Sequence, residues 1–270
     1  MKRRILTAVP LAVLVAYIVV QSRPWVFVAA VVLTAEICLF EFSAISRKTG
    51  LAGLPKFAYL AAAAICGAQV AALDGAREAV PVTTLLIVIL VPTLRLASRD
   101  GLKDYLGAVA STLFGVLYIG FGLSWLIRTR FENGATGRLA TALLLLMVWV
   151  GDIFAFVAGR SVGKRALAPG ISPKKTVEGA VGGLAGTVLV AWGFTRWFMK
   201  TTGWETILLL ALPVAVAGQL GDLIESALKR GAEMKDSGRL LPGHGGMLDR
   251  VDSLLLSAPV FWLTGQIWHR

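Results

Sequence analysis

The sequence predicts an all-α polytopic membrane protein with about nine transmembrane helices. Of its 270 residues, 56% are hydrophobic and 16% are charged, whereas a soluble domain carries about 25% charged residues. Long apolar runs recur from one end of the chain to the other, so the bilayer is the expected solvent. The net charge of +11 comes from basic residues scattered between these runs. That pattern favours basic loops near anionic lipid and argues against nucleic-acid binding.

Each predicted helix coincides with one apolar run. Several runs are short or contain Gly and Pro, which membrane helices tolerate where neighbouring helices cover the backbone. The first run lacks a clear cleavage site followed by a soluble domain, so it predicts an uncleaved first helix. Cys38 and Cys66 lie within apolar runs and predict buried thiols without a disulfide. The nine predicted spans are 5–21, 25–45, 55–73, 79–97, 104–127, 139–158, 177–199, 205–228 and 253–268.

Basic residues predict the orientation. With a cytoplasmic N-terminus and nine crossings, 19 of the 27 Lys and Arg residues fall on the cytoplasmic side. We therefore expect a polar cavity open to the cytoplasm. Residues 1–140 are predicted to form about five N-terminal helices. Residues 141–270 are predicted to form a catalytic region with cytoplasmic loops 159–176 and 229–252, and the two regions to make one integrated membrane domain.

A polar helical face lies at the end of the eighth apolar run. Its members, spaced i, i+3, i+4 and i+7, are Asp222, Glu225, Ser226 and Lys229. This spacing places all four on one side of a helix. A charge at the centre of a membrane helix costs about 2.5–3.5 kcal/mol on insertion scales, so such groups usually face a polar cavity. The alternative is that Asp222 and Lys229 are paired surface charges at a helix end.

The segment LPGHGGMLDRVDS, residues 241–253, combines glycines with charged residues. Gly243, Gly245 and Gly246 permit a bend that exposes backbone N–H groups to an anion such as phosphate. Asp249 and Asp252 follow where the last helix is expected to begin, and carboxylates there suit Mg²⁺. The alternative is a tight turn in which one of these Asp residues caps the helix. A cap explains one Asp, but not the Lys, Arg, His and second Asp beside it.

A third polar group lies within residues 149–183. Asp152 interrupts an apolar run, and the basic residues that follow it are equally well explained as an ordinary positive-inside loop. The segment SPKKTVEG, residues 172–179, favours function more strongly. Ser172, Lys174 and Lys175 precede a helix N-terminus, where backbone N–H groups and ammonium groups suit a phosphate.

Together these groups predict phosphoryl or nucleotidyl transfer to a lipid-linked acceptor, because such catalysis needs positioning and charge neutralisation. Two alternatives stay open. One is another metal-dependent membrane phosphotransferase or glycosyl-phosphotransferase, although DGAREA (74–79) lacks the spacing of the CDP-alcohol phosphotransferases. The other is a cation-coupled transporter with intramembrane sites at Asp152 and Asp222. A transporter would not need the dense charged glycine segment.

The segment from Ser226 to Asp252 resembles the signature of the phosphatidate cytidylyltransferases, also called CDP-diacylglycerol synthases. That signature runs S-x-apolar-K-R, four residues, K-D-x-small, and then P-x-H-G-G-apolar-x-D-R-apolar-D. Every fixed position of it is met here. The resemblance extends over residues 149–257, whereas residues 1–140 match only in being polytopic and apolar.

The resemblance implies that CTP and phosphatidate give CDP-diacylglycerol and pyrophosphate in phospholipid biosynthesis. It implies Mg²⁺, a second cation such as K⁺, a homodimer, and a site on the cytoplasmic face of the bacterial inner membrane. It assigns the metal to Asp222 and Asp249. Asp252 and Asp152 are further candidate ligands from their own places in the sequence. The expected catalytic residues are Asp222, Asp249, Lys229, Arg230, Lys235, Asp236, His244 and Arg250. The expected substrate- and phosphate-binding residues are Ser172, Lys174, Lys175, Thr176, Ser226, Gly245 and Gly246.

The expected chemistry is in-line attack of a phosphatidate oxygen on the α-phosphorus of CTP. This nucleophile is already anionic at neutral pH, so a strong general base is not required. His244 is therefore expected to position a phosphate or to shape the glycine bend.

Overall fold

A computed structural model describes residues 2–97, 102–132, 134–199, 203–238, 240 and 245–268. The predicted site residue His244 lies outside this part of the chain. The ten α-helices among the described residues are α1 (Lys2–Gln21), α2 (Pro24–Lys48), α3 (Pro55–Leu73), α4 (Ala79–Ala97), α5 (Tyr105–Gly115), α6 (Gly122–Phe131), α7 (Ala135–Val162), α8 (Val177–Phe194), α9 (Trp204–Gly231) and α10 (Leu248–Trp268). A short 3₁₀ turn (Leu102–Asp104) precedes α5, a π-helical segment (Val116–Phe121) joins α5 to α6, and a second one (Thr195–Met199) extends α8.

The predicted all-α membrane fold is confirmed, and every predicted span coincides with a helix. In the described part of the chain, seven helical segments are long and apolar enough to cross a bilayer. They are Pro24–Lys48, Pro55–Leu73, Ala79–Ala97, Leu102–Phe131, Thr136–Val162, Val177–Phe198 and Trp204–Gly231. The first helix contributes a shorter apolar stretch, Pro10–Gln21. Nine crossings and the cytoplasmic N-terminus stay predictions.

The structure adds a small β-hairpin that the sequence did not predict. Strands β1 (Ala166–Ala168) and β2 (Ser172–Thr176) pair antiparallel, with Ala166 opposite Thr176 and Ala168 opposite Ser172. The hairpin lies within the predicted loop 159–176, of which residues 159–162 belong to α7. It therefore gives a defined shape to the basic segment SPKKT, which enters α8 through Thr176.

The described chain divides into two compact units. Unit 1 contains residues 1–132 and 228–250, and unit 2 contains residues 133–227 and 251–270. The core of unit 1 is built from apolar side chains of α2, α3 and the segment from α5 to α6. Its fully buried members include Leu39, Ile65, Ile119, Leu123 and Ile127. The predicted division near residue 140 into two regions of one membrane domain stays a prediction.

Unit 2 is built around a close contact between α7 and α8. A side chain at Gly182 would collide with Ala158, and one at Gly186 would collide with Phe154. Such glycines let helix backbones approach each other where the bilayer supplies no hydrophobic driving force. Thr187 adds a hydrogen bond across the pair, donating from Oγ1 to the carbonyl of Met147 at 3.2 Å. These contacts support the helix that follows the hairpin.

Candidate active site

Three carboxylates of unit 2 form an acidic cluster. Asp222 and Glu225 project from one face of α9, and Asp252 projects from α10. One carboxylate oxygen of each residue lies within 4.8 Å of the other two. Glu225 is completely buried, whereas 31% of the Asp222 side chain is exposed. The predicted helical face is therefore present, and Asp252 joins it.

Small residues on α9 bring α10 close enough to form this cluster. A Cβ at Gly221 would overlap the carbonyl oxygen of Asp252. A Cβ at Gly218 would press against the Ser257 hydroxyl, which donates to the carbonyl of Val214 at 3.2 Å. Glycine at these two positions is required by the close approach of the helices. The acidic cluster thus depends on backbone contact as well as on its own side chains.

The β-hairpin of unit 2 brings a cation to the acidic cluster. Lys175, on β2, forms an ion pair with Oδ2 of Asp222. The Ser226 hydroxyl lies 3.5 Å from Oδ1 of the same carboxylate. Ser172 is half-buried at the start of β2, and Lys174 is exposed. Three of the residues predicted around one phosphate-and-metal site, Lys175, Asp222 and Ser226, therefore lie together.

Local hydrogen bonds fix the hairpin to α8. Thr176 is the N-cap of α8, and its hydroxyl accepts the N–H of Gly179 at 3.0 Å. The Glu178 carboxylate accepts the backbone N–H groups of Lys164 and Arg165 at 3.0 and 3.2 Å. Thr176 was predicted to bind phosphate, and here its hydroxyl caps a helix. Its role toward substrate stays a prediction.

Unit 1 contains a second polar arrangement, centred on Asp249. The Lys229 ammonium lies 2.5 Å from Oδ1 of Asp249, and this carboxylate is 7% exposed. The other oxygen, Oδ2, accepts the N–H of Ser237 at 2.9 Å and the N–H of Gly246 at 2.8 Å. Gly245 has a φ of +79°, which a glycine adopts without strain. The N–H of Gly246 and the Lys229 ammonium therefore meet at the Asp249 carboxylate.

The sequence did not predict a role for Glu41. It lies on α2, is 4% exposed, and accepts the N–H groups of Met247 and Leu248, each at 2.9 Å. The Ser237 hydroxyl lies 2.9 Å from its Oε2 atom. The only sequence signal was a lone carboxylate in the apolar run CLFEFS. Burying a charge in a membrane helix is costly, so carboxylates found there usually have a function.

Five more predicted site residues belong to the described part of the chain: Asp152, Arg230, Lys235, Asp236 and Arg250. Arg230, Lys235, Asp236 and Arg250 are exposed, and Arg230 donates to the carbonyl of Met234 at 3.1 Å. Asp152 lies on α7 and lines a small cavity of unit 2. The roles of these residues in catalysis or metal binding stay predictions.

The acidic cluster fits a hard divalent cation. Mg²⁺ prefers oxygen ligands and is usually bound through one or two carboxylates together with water and substrate phosphates. Asp222, Glu225 and Asp252 offer only oxygen donors, and they come from two helices. Burial of Glu225 makes its negative charge costly unless a cation offsets it. Asp249 was the other predicted ligand, and in this structure it faces Lys229.

The chain is similar to one family of known proteins over nearly its whole length. The model of the cytidylyltransferase family matches residues 2–268. The chain belongs to the cytidylyltransferase family. This membership confirms the resemblance drawn from Ser226 to Asp252 and extends it to residues 2–140. It also confirms that the chain is an enzyme.

Several relatives within this family carry a more specific name. The chain is 31% identical to the phosphatidate cytidylyltransferase of Synechocystis sp., over 96% of this chain and 94% of that one. It is 32% identical to the phosphatidate cytidylyltransferase of Bacillus subtilis, over 97% and 96% of the two chains. It is 41% identical to that of Staphylococcus saprophyticus, over 56% of each chain. The apolar helices and these bacterial relatives together make this cytidylyltransferase an integral membrane protein.

Proposed function

We propose that the protein is a phosphatidate cytidylyltransferase, which makes CDP-diacylglycerol and pyrophosphate from CTP and phosphatidate. The observation that carries this proposal is the acidic cluster of Asp222, Glu225 and Asp252, with Lys175 beside it, in an apolar membrane protein. Carboxylates for a metal and an ammonium for phosphate are the parts that nucleotidyl transfer needs. The names of the relatives support the same reaction.

The proposal includes Mg²⁺ held by Asp222, Glu225 and Asp252. When bound, Mg²⁺ supplies positive charge that offsets the triphosphate and the developing charge on the leaving group. Asp249, which the resemblance implies, and Asp152 remain candidate ligands, and K⁺ remains the candidate for a second cation. The choice of Glu225 and Asp252 rests on their proximity to Asp222.

The residues of this chain would act by binding and orienting the phosphates. A phosphatidate oxygen forms a bond to the α-phosphorus of CTP, while the bond from that phosphorus to the bridging oxygen breaks and pyrophosphate leaves. No side chain needs to remove a proton, because the attacking oxygen is already anionic. Lys175 would hold a phosphate near the acidic cluster, and the capped hairpin would keep Lys175 in place.

The proposal also includes the membrane in which the protein lies and its oligomeric state. We place the protein in the bacterial inner membrane, with the site facing the cytoplasm, where CTP is available. The excess of Lys and Arg in the predicted cytoplasmic loops supports this orientation. The resemblance implies a homodimer, and light scattering from the protein–detergent complex would measure its stoichiometry.

The deciding experiment measures pyrophosphate release by the purified protein in detergent micelles. The reaction should require CTP, phosphatidate and Mg²⁺ together, and CDP-diacylglycerol should accumulate in step with pyrophosphate. Glu225→Gln should abolish turnover. Glu205→Gln, which changes an exposed carboxylate on the same helix, is the control. A folded protein that releases no pyrophosphate from these substrates would refute the proposal and direct the search to other nucleotides and lipid acceptors.

A further inference from the structure

Glu41 is a buried carboxylate surrounded by hydrogen-bond donors. Oε1 accepts the N–H of Met247, and Oε2 accepts the N–H of Leu248. The Ser237 hydroxyl completes the set at 2.9 Å from Oε2. A carboxylate buried to this extent is costly unless its lone pairs are satisfied. Its three donors show that the surrounding chain is arranged around the acid.

These donors come from two parts of the chain that flank Gly245 and Gly246. Ser237 precedes these glycines, whereas Met247 and Leu248 follow them at the start of α10. The first N–H groups of a helix have no acceptor within that helix. Glu41 supplies acceptors from α2, more than 190 residues earlier in the chain. One side chain therefore holds Ser237, Met247 and Leu248 against a membrane helix.

Two glycines leave the space that this carboxylate occupies. A Cβ at Gly246 would overlap the Ser237 hydroxyl and the carboxylate of Glu41, and a Cβ at Gly238 would overlap the same carboxylate. Neither glycine has a positive φ. They are glycines because Glu41 lies against them, so the position of Glu41 and the backbone path at Gly238 and Gly246 depend on each other.

The contacts continue from Glu41 to the Asp249–Lys229 pair. The Ser237 hydroxyl lies 2.9 Å from Glu41 Oε2 and 3.0 Å from Asp249 Oδ2. Because a hydroxyl has one proton, it can donate to only one of these oxygens at a time. The backbone N–H of Ser237 also donates to Asp249. Displacing Glu41 would therefore displace Ser237 and, through it, Asp249.

We propose that Glu41 is a positioning residue that fixes Ser237, the start of α10 and the Asp249–Lys229 pair for cytidylyl transfer. The expected effect of Glu41 on turnover rests on the proposed function. Its expected effect on the backbone around Gly246 does not. Two readouts therefore separate the two ideas.

The first variant is Glu41→Gln, because its amide NH₂ cannot accept the N–H groups that the carboxylate accepts. Amide hydrogen exchange at residues 245–250 should become faster, while exchange in α3 and α5 stays at the wild-type rate. Turnover at saturating substrates should fall by about 10- to 100-fold, as for supporting residues of other active sites. Cooling should not restore it, because the loss does not come from a fraction of unfolded protein. Glu36→Gln, on the same helix, is the control expected to retain wild-type exchange at residues 245–250.

The second variant is Ser237→Ala, which removes the hydroxyl between Glu41 and Asp249 and keeps both backbone bonds to Glu41. It should lower turnover without accelerating exchange at Met247 and Leu248. If Glu41→Gln does not fold, wild-type turnover in Ser237→Ala overturns the proposal. Where Glu41→Gln folds, wild-type turnover or unchanged exchange at residues 245–250 overturns it. The exchange measurement needs no substrate, so it decides the role of Glu41 even if CTP and phosphatidate are not the substrates.

Discussion

The Lys229 ammonium lies 2.5 Å from Oδ1 of Asp249, and both side chains are nearly buried, at 12% and 7% exposure. The second oxygen of Asp249 accepts backbone N–H groups from Ser237 and Gly246. Both oxygens of this carboxylate are therefore engaged by the chain itself. The pair joins the end of α9 to the start of α10 within unit 1.

Lys229→Met should destabilise the protein, because it leaves the Asp249 carboxylate buried without its cation. Breaking a buried pair by removing one partner costs about 3–5 kcal/mol. The double variant Lys229→Met/Asp249→Asn should recover part of that loss, since the uncompensated charge is then gone. Thermal unfolding in detergent, followed by intrinsic fluorescence, measures both variants.

The matched control for this prediction is the more exposed pair of Arg128 and Glu132, one turn apart on a helix end, at 3.3 Å. Exposed pairs contribute about 0–1 kcal/mol, so Arg128→Met should change the unfolding midpoint much less than Lys229→Met. A double variant as unstable as Lys229→Met would show that lost packing, and not the isolated charge, causes the effect.

The fold was predictable because the bilayer leaves few options. Backbone groups in hydrocarbon must be hydrogen-bonded internally, so long apolar runs become helices. The β-hairpin was not predictable in the same way. Its strands have three and five residues, and β2 carries Pro173, Lys174 and Lys175 without an alternating apolar pattern. Its strands are defined mainly by their pairing with each other.

The site was predictable where the signal was local. Helical spacing correctly grouped Asp222 with Glu225, because residues three apart share a helix face. It could not decide whether Asp249 or Asp252 joins them. That choice depends on Gly221, which allows α10 to approach at Asp252. Glu41 was beyond local reasoning, since its partners lie at the other end of the chain.

Glu225→Gln should remove the response of the protein to Mg²⁺. A bound ligand raises the unfolding midpoint only if the folded state holds it, so loss of a ligand oxygen abolishes that rise. Turnover should fall further than the loss of about 10- to 100-fold that follows mutation of residues supporting a metal ligand. Asp222→Asn and Asp252→Asn should behave alike, because their carboxylates belong to the same cluster.

The control for the metal prediction is Glu205→Gln, which changes an exposed carboxylate in the first turn of α9. It should keep the Mg²⁺-dependent rise in the unfolding midpoint and wild-type turnover. A full Mg²⁺ response in Glu225→Gln would remove this residue from the ligand set. If Asp222→Asn and Asp249→Asn lose the Mg²⁺ response while Glu225→Gln and Asp252→Asn keep it, the ligands are the pair that the resemblance implied, Asp222 and Asp249.

Gly221→Ala should disrupt the acidic cluster without touching any charged group. The added Cβ would overlap the carbonyl oxygen of Asp252, so α10 must shift away from α9 at that point. A misplacement of about 1 Å in an active site can cost about 100-fold in rate. Turnover and the Mg²⁺-dependent rise in the unfolding midpoint should both be lost. Gly231→Ala is the control, since a Cβ there meets nothing within 4 Å; equal losses in the two variants would contradict the steric explanation.

Lys175→Met should change metal binding and turnover in opposite directions. The Lys175 ammonium contacts the Asp222 carboxylate, so in the absence of substrate it competes with a cation for that carboxylate. Removing it should lower the Mg²⁺ concentration needed for half-maximal stabilisation by about fivefold, the equivalent of ~1 kcal/mol for one charge at about 4 Å in water. The same change removes a charged donor to phosphate, worth about 1.5–3 kcal/mol, and should lower kcat/KM for CTP by about 10- to 100-fold. Lys174→Met removes an equal charge from the exposed neighbouring position. If it shifts the Mg²⁺ midpoint as much as Lys175→Met does, the effect comes from net charge and not from the contact with Asp222.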